Sequence, residues 1–153
     1  MKKTPFFLFV CASFFISCGK TSSGCDPVPV TSEKAVLVAY CQANNINYTE
    51  HSSGILYEII LPGSGMTPIA TSTVSAIYTL KLLDNTQLQA VANPVTFSLS
   101  AVIDGWKIAI PLIKKGGRIK MVVPSALAYS CTGKDNIPPN TPLYFDVSLA
   151  DVY

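Results

Sequence analysis

The chain has 153 residues, 49% hydrophobic and 13% charged, which leaves room for one well-filled domain with appendages. Its formal charge of +2 comes from the N-terminus: without Lys2 and Lys3 the 11 Lys and Arg fall to 9, equal to the 9 Asp and Glu. So neutral a chain lacks the clustered basic face that nucleic acid demands, which argues against that partner.

The first residues read as a targeting signal. Lys2-Lys3 form a positive n-region, and Phe6 to Ile16 an apolar h-region too short to span a bilayer. Ser17-Cys18-Gly19 closes it, a small residue before Cys that resembles the bacterial lipobox. The resemblance implies removal of residues 1–17 and lipid on the sulfur and amine of Cys18. An ordinary cleaved signal with an incidental Cys is the alternative. Several acyl chains make a stable anchor, since each buried CH₂ adds about 0.8 kcal/mol. The expected location is the bacterial envelope, on the outer membrane facing the periplasm, because no acidic run follows Cys18. Disulfides persist there. Of the five cysteines, Cys11 leaves with the signal and Cys18 takes lipid. Cys41 suits an apolar helix face, while Cys25 and Cys131 sit in loop contexts. A Cys25–Cys131 bridge is expected, with free thiols as the alternative. No metal spacing such as CxxC occurs, and no metal or cofactor is expected.

Residues 18–31 are rich in Ser, Gly and Pro and read as a flexible tether. Residues 32–53 read as an N-terminal helix and a linker. The helix is expected from Ser32 to Asn44, capped by Thr31 or Ser32, with Glu33 in its first turn and Val36, Leu37, Tyr40 and Cys41 on its apolar face. Ile46 to Ser53 is the linker, and its His51 reads as a surface residue. From Gly54 the period becomes two. Strands are expected at Ile55 to Leu61, Thr73 to Leu83, Gln87 to Val91 and Val95 to Leu99, with Asn93-Pro94 a break. Val74, Ala76, Tyr78, Leu80 and Leu82 face one side of the second.

A helical period then appears in Ile103, Trp106, Ile110 and Ile113. Asp104 suits its N-terminus and Lys114-Lys115 its C-terminus, with Gly116-Gly117 as the stop. Trp106, the only Trp, is a core anchor or the floor of an apolar pocket. Arg118 to Val123 is a strand. Ser125 to Pro142 is a long loop with a turn at Ala126 to Tyr129, and loops of this length inside a domain are often functional. Leu143 to Val152 is the last strand. The order predicts an α+β domain whose antiparallel sheet has one buried face.

Val102-Ile103-Asp104-Gly105-Trp106, Lys115-Gly116-Gly117, Pro124, Leu127-Ala128-Tyr129, Thr132-Gly133, Ile137-Pro138-Pro139-Asn140 and Phe145-Asp146-Val147 stand in an order and spacing that resemble FKBP-type peptidyl-prolyl cis-trans isomerases. Ile77-Tyr78-Thr79 and Pro94-Val95-Thr96-Phe97 also fit. The match runs over residues 54–153, and the whole chain is similar to the family's lipid-anchored bacterial members. The resemblance implies an antiparallel sheet of about five or six strands wrapped around the short helix. It implies a pocket between the two, with Trp106 as floor and Tyr78, Val102, Ile103 and Phe145 as walls. Tyr129 would offer its hydroxyl to a substrate carbonyl, the Ile103 N–H would donate to the bound chain, and Ile137 would lie in a flap. Leu88-Gln89 stands where the family has an aromatic residue and Asp, and Val95 where it has a second pocket aromatic. Leu80 and Ser130 stand where Gly is usual.

The implied activity is isomerisation of X–Pro bonds in unfolded or partly folded polypeptides outside the cytoplasm, by a monomer, with macrolides as inhibitors of the family. The X–Pro amide resists rotation by about 18–20 kcal/mol because twisting breaks its resonance. The twisted carbonyl is less polar, so a dry apolar pocket favours it over the planar amide, without covalent chemistry or a cofactor. The retained Trp106 and Tyr129 favour this reading. Leu88 and Gln89 favour an alternative, a proline-peptide-binding or chaperone module of the same fold with little turnover. A β-rich lipoprotein of structural use only is the third reading.

The lipobox reading makes a direct prediction. Fatty-acid label fed to cells should mark the parent chain and not Cys18→Ser; label on the variant contradicts it.

Overall fold

The computed structural model describes residues 24–153. The signal, Cys18 and the first part of the expected tether lie outside the described residues. The strands are β1 Thr49–Glu50, β2 Leu56–Leu61, β3 Thr73–Leu82, β4 Gln87–Ser98, β5 Arg118–Val123 and β6 Leu143–Val152; the helices are α1 Val30–Ala43 and α2 Asp104–Ala109. All six strands pair antiparallel in the order β1-β2-β5-β6-β3-β4. The sheet packed on one short helix meets the expected fold class.

β6 lies inside the sheet, between β5 and β3. Its Phe145, Val147 and Leu149 join the main core with Val74, Ala76, Leu80, Ile119, Met121 and the α2 side chains. Tyr144 points the other way, into a second cluster with Leu37, Tyr40, Cys41, Ile46, Leu56 and Val122. α1 thus covers the second face, and the expectation of a single buried face is corrected. Tyr144 is only 8% exposed. A tyrosine packs its ring while presenting a polar tip.

α1 begins two residues earlier than expected and has no side-chain cap; Ser32 Oγ instead donates back to the Pro29 carbonyl at 2.7 Å. Val36, assigned to the apolar face, is 49% exposed. Glu33 is buried, and its carboxylate accepts the Ser125 N–H at 2.8 Å. That bond fastens α1 to the turn after β5. Burial pushes the Cys41 thiol up to about 11, which leaves it protonated at neutral pH. The expected linker holds β1, paired with Leu56 and Tyr57.

β4 is one strand where two were expected. Between Ala76↔Val95 and Tyr78↔Val91, β3 advances two residues and β4 four. The Asn93-Pro94 stretch is therefore a bulge, not a break. Proline is tolerated because β4 is an edge strand, whose outer donors have no ladder to complete.

α2 is shorter than its apolar period. After Ala109 the chain makes one 3₁₀ turn, Ile110–Leu112, and stops before Lys114. Pro111 is the cause: it offers no N–H and its ring crowds the preceding turn. Lys115 pairs instead with Asp151 at 2.8 Å. Gly105 brings α2 against β5, for a Cβ there would meet Val123 Cγ1 at 2.5 Å.

The loop from Ser125 to Pro142 holds two 3₁₀ turns, Ser125–Leu127 and Ser130–Thr132, where one turn was expected. Cys131 is bridged to Cys25, with Cα atoms 5.2 Å apart and a sequence separation of 106. Val28 N–H also donates to Asn140 Oδ1 at 3.4 Å. Residues 24–29, read as flexible from their composition, are therefore fastened to this loop. Replacing Cys25 and Cys131 together by Ser should lower the unfolding free energy of the full chain by up to about 4–5 kcal/mol, the chain-entropy value for so long a loop. Denaturant melts of parent and variant check this; an unchanged midpoint contradicts a stabilising bridge.

Candidate functional site

A hollow of about 320 Å³ lies between α2, the inner face of the sheet and the loop after β5. Its floor is Trp106, 4% exposed. Three rings box the indole: Tyr78 at 5.1 Å and 86°, Phe145 at 5.5 Å and 83°, and Phe97 at 5.4 Å and 60° between planes. Edge-to-face contacts of this kind add about 0.5–1.5 kcal/mol each beyond area burial. The box follows from register. Met121, Phe145, Leu80 and Gln89 form one row across β5, β6, β3 and β4, and Tyr78 faces Val147 in the next row along. Phe145, Leu80 and Gln89 consequently meet the same hollow.

Polar and apolar atoms share the lining about equally. Trp106 Nε1 is buried with no hydrogen-bond partner among the described residues. The Ile103 carbonyl accepts from the N–H groups of Trp106 at 3.0 Å and Lys107 at 3.3 Å, while its own N–H donates to no backbone group among them. Helix start and free donor thus coincide at one residue. Burial raises the pKa of the Tyr78 hydroxyl, the nearby Tyr129 adds to this, and Gln89 opposes it. Tyr78 is accordingly a neutral donor at physiological pH. Tyr129 comes from the loop and carries Lys134 Nζ 5.4 Å from its ring centroid.

Of the residues singled out in the sequence, Tyr78, Gln89, Val102, Ile103, Trp106, Tyr129 and Phe145 line the hollow. Leu88, Val95 and Ile137 do not. Leu88 falls on a second β4 bulge and packs beside the hollow against the main core. Val95 is left 39% exposed on the edge strand, and Phe97 supplies the ring instead. Ile137 is buried in the main core and bridged to Lys134. His51 lies elsewhere, bonded to Ser53 Oγ at 2.9 Å.

Leu80, Phe97, Ala101 and Lys134 also line the hollow and were missed. Leu80 was legible, since it shares a face with Tyr78. Phe97 was legible as the other inward residue of its strand. Lys134 carried no sequence signal. Where the resemblance expects Gly, Leu80 places a side chain in the hollow and narrows it. Ser130 holds φ at 51°, the left-handed region in which glycine is the least strained residue.

An open hollow with an aromatic floor, polar groups at its rim and a free backbone donor defines a site for an apolar group carried on a polar chain. The model of the FKBP-type peptidyl-prolyl cis-trans isomerase family matches residues 65–150, and the chain belongs to that family. It is 40% identical over 104 residues to the FKBP-type peptidyl-prolyl cis-trans isomerase FkpA of Escherichia coli K12, covering 66% of this chain and 38% of that protein. It is 40% identical over 105 residues to the probable FkpA of Neisseria meningitidis serogroup B, covering 66% and 39%. The chain thus spans about two-fifths of the length of these curated relatives. The crystal structure of FkpA from Escherichia coli superposes with a TM-score of 0.71 at 34% identity, over 80% of this chain and 60% of that one. A peptidyl-prolyl cis-trans isomerase from Pseudomonas syringae superposes with a TM-score of 0.69 at 28% identity, over 83% and 98%.

Burial separates the two central side chains. Trp106→Ala should cost about 3–5 kcal/mol of stability, while Tyr129→Phe should stay within about 0.5 kcal/mol of the parent. Chemical denaturation of both checks this; equal losses contradict the description of Trp106 as the buried floor.

Proposed function

We propose that the chain is a peptidyl-prolyl cis-trans isomerase that acts on proline-containing unfolded or partly folded polypeptides. The observation that carries this is the boxed Trp106 beside the free Ile103 N–H. A prolyl ring is compact, apolar and without an N–H, so it suits an indole floor. The Ile103 N–H is then available to a carbonyl of the bound chain. Tyr129 donates to a second carbonyl, and Tyr78 and Phe145 wall the ring. Transfer from water into this hollow weakens the planar, more polar amide relative to the twisted one. No proton, nucleophile or cofactor takes part.

The finer reading is that of an extracytoplasmic folding helper. Residues 1–17 would be its signal and lipid on Cys18 its anchor, with the domain facing the periplasm from the outer membrane as a monomer. Macrolide ligands of the family should bind weakly, because Leu80 occupies space beside Phe145.

A second reading, a proline-peptide-binding or chaperone module with little turnover, is favoured by Gln89. It is the residue facing Leu80 in the ladder, and it brings an amide to the wall where the family brings a carboxylate. A refolding reaction limited by proline isomerisation separates the two. The full chain should accelerate it, Tyr129→Phe should slow turnover roughly threefold to tenfold, the worth of one neutral hydrogen bond, and Gln89→Asp should speed it. A parent no faster than the uncatalysed reaction, and not rescued by Gln89→Asp, supports the binding module instead.

A further inference from the structure

Among the described residues, Lys134 is the one lining side chain of the hollow that is charged at neutral pH. It is held there by its backbone. Its N–H donates to the Ile137 carbonyl at 2.9 Å, and its carbonyl accepts the Ile137 N–H at 2.7 Å. Gly133 before it has φ 64° and is closely packed, for a Cβ would meet Pro138 and Pro139 backbone atoms at 3.0 Å. Cys131, three residues upstream, is tied to Cys25. The ammonium lies over the Tyr129 ring, at the rim of the site.

Its charge is not cancelled locally. The ion pairs of the described residues use Lys34, Lys107, Lys115, Arg118 and Lys120, and none includes Lys134. Asp104, two residues before the floor, is held by Lys107 at 2.9 Å. Asp135 is exposed at the tip of the turn and makes no ion pair within 4.0 Å of Lys134. Across the hollow the polar wall residue is Gln89, which is neutral. The site therefore presents one cation and no anion to a bound peptide.

We propose that Lys134 is a specificity-determining residue, and that the site selects proline segments with Asp or Glu next to the X–Pro pair over those with Lys or Arg. This rests on the reading of the hollow as a proline-peptide site. Because Lys134 is exposed, water and salt weaken the effect. An exposed pair of this kind corresponds to a preference of roughly twofold to fivefold. It should shrink at about 1 M salt, where the Debye length is about 3 Å.

The test uses the full chain and matched peptides with Glu, Gln or Lys on either side of a Leu-Pro pair. Affinity is read from the fluorescence of the single Trp, and turnover from the isomerisation rate. Binding should follow Glu, then Gln, then Lys, with about twofold to fivefold between the ends at low salt. The order should collapse in Lys134→Met, which keeps an apolar stem, and reverse in Lys134→Glu. The same order of affinities with no turnover on any peptide sinks the isomerase reading and leaves this inference standing. Equal affinity for the three peptides, no binding of any, or a Glu preference that survives Lys134→Met overturns it.

Discussion

The contact on which the rest depends is the packing of Trp106 into the inner face of the sheet. A short helix cannot stand on its own propensity. α2 exists because one large ring is gripped by Tyr78, Phe97 and Phe145, and because Gly105 lets the backbone close on Val123. The same grip makes the site. The indole is both the last layer of the core and the floor of the hollow, so stability and binding share one side chain. Ile103, held at the helix start, keeps its N–H free because no helical turn precedes it to supply an acceptor.

The wall on the other side is a loop, and loops need separate support. Here the support comes from the N-terminal segment. The Cys25–Cys131 bridge, the Val28 bond to Asn140 and the Glu33 carboxylate on Ser125 all end on the stretch that carries Tyr129 and Lys134. The residues before the sheet are thus part of what shapes the hollow. α1 adds a second core behind the sheet, where the Tyr40 and Tyr144 rings pack at a tilt with centroids 5.5 Å apart.

Much of this was legible in the sequence, and what was not has identifiable causes. β5 and β6 were read with their observed ends: Gly117 and Pro124 flank β5, and Pro142 precedes β6. The Trp106 period located α2, but Pro111 ends the regular helix before the apolar residues stop recurring. Asn93-Pro94 looked like a break because local turn chemistry does not reveal that a strand lies at an edge, where a bulge is tolerated. Val95 and Phe97 stand in continuous register on the same strand, and it is Phe97 that reaches the indole. Leu88 fails because a bulge displaces it from the row that Gln89 occupies. Lys134 was invisible because its place in the site is set by a disulfide-tethered loop, not by any local period.

The central claim is that a prolyl ring seats on Trp106. The most direct measurement is nuclear magnetic resonance of a proline peptide bound to the isotope-labelled full chain. With one Trp in the sequence, its indole N–H gives a single resonance. The account predicts upfield ring-current shifts of the proline ring protons, contacts from them to the indole, and a shift of the Ile103 amide. A bound peptide whose proline protons are unshifted and touch other parts of the surface would contradict it.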